Sequence, residues 1–134
     1  MENIITKLQS VYSELKKEKG EFFLFMVMKI DEYTDKWSMA ISASWITSEN
    51  RKTEFDYIAG KINANLTESE VAAIARVGIF QPEEHLVKLI TESYRTEGDT
   101  PIRLENTKVN GYQIHEAYIF EARVPNENIN TSSN

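Results

Sequence analysis

Residues 21–30 read Glu-Phe-Phe-Leu-Phe-Met-Val-Met-Lys-Ile, and no other segment constrains the fold as strongly. Side chains of a strand alternate between its two faces. Phe22, Leu24, Met26, Met28 and Ile30 form one alternating set, and Phe23, Phe25 and Val27 form the other before Lys29 breaks it. A strand that is apolar on both faces has to be covered on both. It therefore belongs inside a sheet, with packed material above and below. The uninterrupted apolar run, Phe22–Met28, is far shorter than the roughly 20 residues a membrane helix requires.

The flanking segments supply the covering layers. Ile4, Ile5, Leu8, Val11, Tyr12 and Leu15 recur at helical spacing along one face of residues 3–19. Gly20 offers a stop, and Lys16, Lys17 and Lys19 suit the negative end of the helix dipole. After a polar connection, Trp37–Thr47 alternates again. Trp37, Met39, Ile41, Ala43 and Trp45 are on one side, and the small residues Ser38, Ala40, Ser42 and Ser44 on the other. Residues 21–47 therefore read as an antiparallel hairpin.

Phe55, Ile58, Ile62 and Leu66 favour a helix over a strand for residues 53–65, opened by Thr53 and Asp56 as a capping box and interrupted by Gly60. Thr67 and Glu70 form a stronger capping box before Val71–Ala75. Arg76–Phe80 reads as a short strand, reached and left through helices and so expected to run parallel to a neighbour. Gln81-Pro82-Glu83-Glu84 opens a further helix with Leu86, Leu89 and Ile90 on its apolar stripe, ending near Gly98. Asn110-Gly111 between Ile102–Val109 and Tyr112–Val124 is a strong hairpin signal. In the last strand Tyr112, Ile114, Glu116, Tyr118 and Phe120 are expected on one face.

The order is α-β-β-α-α-β-α-β-β. The expected fold is a single-domain α+β sandwich over residues 1–125, with a mixed five-stranded sheet and about four helices. Residues 126–134 read as a disordered polar tail.

With 134 residues and no Cys, the chain needs no disulfide or metal to build a core, and thiolate metal sites and thiol nucleophiles are excluded. The net charge is −6 and is unevenly spread. Residues 1–67 hold nine basic and ten acidic residues, whereas residues 68–134 hold six and eleven. Such a field repels nucleic acid and anionic membranes. The chain has no signal peptide pattern, so it is expected to be soluble and cytoplasmic.

Motifs for chemistry are sparse. There is no Gly-rich phosphate loop, no nucleophile elbow and no His spacing that chelates a metal, so no metal or cofactor is expected. Asp31, Glu32 and Asp35 share a loop but lack the ligand pattern of a calcium site. His85 stands at a helix start. His115 is the weak candidate for an acid or base, with Arg103, Glu116 or Tyr118 as cross-strand helpers if geometry unites them.

Two functional readings follow. The first is a non-catalytic binding protein, like an inhibitor or immunity protein or a regulatory domain, with a homodimer as the simpler variant. Its contacts to a basic protein partner would come from Glu83, Glu84, Glu97, Asp99, Glu116 and Glu121, with Trp37 and Trp45 as an aromatic surface. The second is a small enzyme or ligand-binding protein with a sheet-lined pocket around His115.

Overall fold

Helix α1 (Ile4–Lys19) starts where Asn3 accepts a hydrogen bond from the Thr6 N–H at 2.9 Å. That contact satisfies one of the orphan donors of the first turn. Leu8, Val11, Tyr12 and Leu15 are buried along one face, as their spacing predicts. The helix stops at Gly20, whose φ of 128° lies in a region that side-chain-bearing residues rarely adopt. A Cβ there would also press to 3.3 Å on the Trp45 ring.

The computed structural model describes residues 3–30, 35–98, 100–109 and 111–125. Asp31, Glu32, Asp99, Asn110 and the expected polar tail at 126–134 lie outside them. After α1 come β1 (Phe22–Ile30), β2 (Trp37–Ala43), α2 (Arg51–Asn65), α3 (Glu68–Ala72) and β3 (Ile74–Ile79). They are followed by α4 (His85–Ser93), β4 (Ile102–Val109) and β5 (Tyr112–Ala122). The chain is a single α+β domain with the expected order of elements. Its sheet runs β3-β2-β1-β5-β4, which puts the doubly apolar β1 in the middle. The β2–β3 pair is parallel and every other pair is antiparallel.

Each face of β1 has its own core. On one side α1 and α2 bring Leu8, Val11, Leu15, Ile58 and Ile62 onto Phe22, Phe25, Val27, Met39, Ile41 and Phe120. On the other side Val87 and Ile90 of α4 meet Leu24, Met26, Leu104, Ile114, Ala117 and Ile119. The aromatic centre is tight: Phe25 lies 5.1 Å from Phe22, 5.3 Å from Tyr12 and 5.8 Å from Phe120, ring centre to ring centre.

Strict alternation misplaces several side chains. A register shift between Phe22 and Leu24 turns Phe22 to the α1 side, with Phe25 and Val27 rather than with Leu24 and Met26. In β5, irregularities opposite Phe25/Met26 and Lys29/Ile30 change the phase twice. Ile114 consequently packs on the α4 side, and Tyr118 and Phe120 belong to the other face. Asn106, across from the second irregularity, takes a left-handed φ of 47°, a conformation Asn tolerates better than most residues.

Helix boundaries also move. Helix α2 begins at Arg51, so Thr53 and Asp56 lie inside it and form no capping box. Asn50 instead accepts from the Thr47 N–H at 2.7 Å and stabilises the loop before the helix. Helix α4 begins at His85 and ends at Ser93, with Glu84 in the N-cap position and Pro82 in the turn before it. The Thr67–Glu70 capping box is present, with bonds of 3.2 and 2.8 Å.

Phe25 is fully buried at the junction of three other rings. Phe25→Ala should cost about 3–5 kcal/mol, read as a lower urea midpoint with an unchanged slope. A loss below 1 kcal/mol would contradict the central place given to this face.

Candidate functional site

The acidic residues fall into two electrostatic classes. On α1 and α2 themselves they are paired, while Glu49 and Glu68 beside α2 enter no ion pair among the described residues. Glu18 accepts from Lys61 at 2.9 Å and from the Tyr57 hydroxyl at 2.5 Å. Lys19 reaches Glu54 at 3.0 Å, and Lys7 reaches Glu70 at 2.8 Å. Lys61 and Tyr57 hold the Glu18 carboxyl below the usual carboxylate range. Lys7 and the Thr67 backbone N–H do the same for Glu70. Lys16 and Lys19 are likewise committed to acidic partners, which leaves Lys17 as the member of the α1 cluster with no ion pair among the described residues.

Around α4 the pattern reverses. Glu83, Glu84 and Glu92 are exposed, as is Glu97 just beyond the helix, and none enters an ion pair among the described residues. The Glu84 carboxylate accepts from the Gln81 N–H at 2.7 Å. Glu83 and Glu92 line one shallow depression with Pro82, Lys88, Thr91, Val124 and Pro125.

The other expected contact residues lie elsewhere. Glu121 is 7% exposed and faces α1. Its carboxylate accepts from the Tyr12 hydroxyl at 2.5 Å and from Lys16 at 3.1 Å, with Thr96 at 3.4 Å. The irregularity after Ile119 turns both Phe120 and Glu121 to this side, which strand alternation cannot anticipate. Trp37 is 7% exposed and packs against Tyr118, with the Lys29 ammonium 4.7 Å over its ring. Trp45 lies beyond the end of β2, half-buried and edge-on to Phe22 at 5.4 Å. The two Trp side chains belong to the α1–α2 core and its margin.

Of the residues considered around His115, the fold unites three. Arg103 donates to the Tyr118 hydroxyl and to Glu116, each at 3.1 Å, and also pairs with Glu105. Tyr118 donates to Glu116 at 3.1 Å. These groups answer one another's hydrogen-bonding needs on the exposed part of β4 and β5. His115 is half-buried where the β1–β5 register shifts, and His85 is exposed at the start of α4.

A cavity of about 320 Å³ lies between α4 and the sheet, and Ile114 rather than His115 lines it. Its floor follows from the small-residue face of β2. Ser38, Ala40 and Ser42 turn away from the α1 core, and all are buried. Ser38 is in register with Met28 on one side and Arg76 on the other, while Ala40 is in register with Gly78. Helix α4 has only nine residues and packs against β1, so the small side chains nearer β3 are not filled over. Met28, Ile30, Phe80, Leu86 and Val109 complete the apolar wall. The sequence signalled this site only through the Ser38/Ala40/Ser42 alternation. Arg76 and Phe80 join through the parallel β2–β3 pairing.

Among the described residues, no cluster of three His, Cys, Asp or Glu side chains is placed to hold a metal ion, and no helix is long and apolar enough to cross a membrane. The chain matches no family model, no curated protein and no solved structure.

Tyr12→Phe removes the shortest hydrogen bond to Glu121 and should cost about 1–3 kcal/mol. Adding Glu121→Leu should recover part of that loss, because replacing both partners removes the unmet polar group. Urea unfolding of the single and double variants measures both effects.

Glu18 and Glu70 titrate lower in the folded chain than in the unfolded one. Their stabilisation is therefore present above the ordinary carboxylate range and is lost as pH falls through their lowered folded values. Glu70→Gln should flatten the acid limb of a stability–pH profile and leave its neutral-to-alkaline limb unchanged. An unaltered acid limb would contradict the Lys7 pairing.

Proposed function

We propose that the protein is a non-catalytic binding domain that engages a basic protein partner through the acidic surface around α4. The supporting observation is the contrast in charge compensation: the acids of α1 and α2 themselves are paired with Lys, whereas Glu83, Glu84, Glu92 and Glu97 are exposed and enter no ion pair among the described residues. Unpaired surface carboxylates project a negative field, which accelerates encounter with a cationic surface and makes binding sensitive to salt. Inhibitors and immunity proteins of basic enzymes are one form such a partner relation takes. Regulatory domains are another.

The depression between Glu83 and Glu92 offers a place for a Lys or Arg side chain, with Pro82, Val124 and Pro125 to cover its alkyl stem. The fold leaves open edges on β3 and β4, so pairing with a second copy is the alternative partner. Arg103, Glu105 and Lys108 are exposed along β4, and charged side chains of this kind disfavour edge-to-edge addition. A basic partner at α4 is therefore favoured over a strand-paired homodimer.

Affinity capture with the full chain tests this reading at low and high salt, beside a variant carrying Glu83→Lys, Glu84→Lys, Glu92→Lys and Glu97→Lys. Basic proteins retained at low salt should be released as salt rises and should be absent from the variant. Retention that survives both changes, or a stable dimer in solution with no such partner, would overturn it.

A further inference from the structure

We propose that the cavity under α4 binds a small monocarboxylate with an apolar body. The first observation is Ser38. It is 1% exposed and lines the cavity, and its hydroxyl has no hydrogen-bond partner among the described residues. A buried hydroxyl left unmet costs about 1–3 kcal/mol, so a ligand oxygen at this point would satisfy an existing demand.

The second observation is the row in which Ser38 stands. Arg76 of β3 is its register neighbour and lines the same cavity. Adjacent strands lie about 4.8 Å apart, a separation that one carboxylate can bridge. Ser38 would donate to one oxygen and the Arg76 guanidinium to the other. Arg76 has an interaction of its own, but five N–H donors leave it capacity for a further acceptor. Arg76 is exposed, which puts the charged end of the ligand at the mouth.

The remaining wall selects the body. Met28, Ile30, Ala40, Phe80, Leu86 and Val109 present only carbon and thioether surface to the cavity. Methionine side chains adapt to differently shaped apolar ligands. A cavity near 150 Å³ holds benzene, so about 320 Å³ suits a ligand of roughly ten non-hydrogen atoms. Octanoate and small arylalkanoates have that size and one anionic end. This assignment is independent of the acidic surface, since it uses neither Glu83 nor Glu92.

The test is a titration of the intact protein with octanoate, followed through methionine methyl NMR signals. Met28 lines the cavity, Met26 is buried on the same face without lining it, and the Met39 side chain belongs to the core on the opposite face. Saturable shifts of Met28 that exceed those of Met26 and Met39 are expected. Arg76→Gln should weaken octanoate at least tenfold and change octan-1-ol binding less than twofold. Ser38→Ala should weaken both ligands, and Ala40→Leu should abolish both by filling the floor. If Ala40→Leu fails to fold, the methyl pattern and the exposed Arg76→Gln variant still decide. Absence of saturable shifts up to the solubility of octanoate would overturn the proposal. So would equal effects on all methionines, or octanoate affinity unchanged by Arg76→Gln.

Discussion

The structure depends on covering β1 from two sides. Phe22, Phe25 and Val27 need one apolar layer, and Leu24, Met26, Met28 and Ile30 need another. Burying each large apolar side chain contributes about 1.5–3 kcal/mol, so no arrangement with β1 at an edge would compete. The central position of β1, its antiparallel neighbours and the helices on opposite faces all answer this single demand.

The two layers are unequal, and their difference shapes the chemistry. The α1–α2 layer is thick, aromatic and closed, and its margin is laced by Lys–Glu pairs. It also holds the one buried carboxylate among the described residues, Glu121, tied to Tyr12 and Lys16. The α4 layer is thinner. Nine helical residues cover β1 but leave Ser38, Ala40 and Gly78 under an unfilled space. The acidic residues on and beside α4 have no Lys-rich helix opposite them. Open space and open charge thus occur on the same side of the sheet for a shared reason: α4 is short and, among the described residues, has no partner helix on its face.

Much of the fold was legible in the chain. The helical spacing of Ile4–Leu15, the Thr67–Glu70 cap, the Asn110-Gly111 signal and the alternation from Trp37 are local patterns with local physical causes. Errors arose where a local pattern was broken by pairing. Phe22, Ile114 and Glu121 changed faces because a register shift adds a residue to one strand and not to its neighbour, which composition does not record. The Thr53–Asp56 pair resembled a cap, but Asn50 and Thr47 had already organised the preceding loop.

The sequence by itself determined that a strand at residues 22–30 would be central, that helices must cover it, and that most of the net negative charge belongs to the second half. Those properties reside in periodicity and counting. Only the tertiary structure decided which carboxylates are neutralised, because ion pairs such as Lys7–Glu70 join residues distant in the chain. It alone joined Ser38 to Arg76, because strand register, rather than chain separation, sets which side chains share a face.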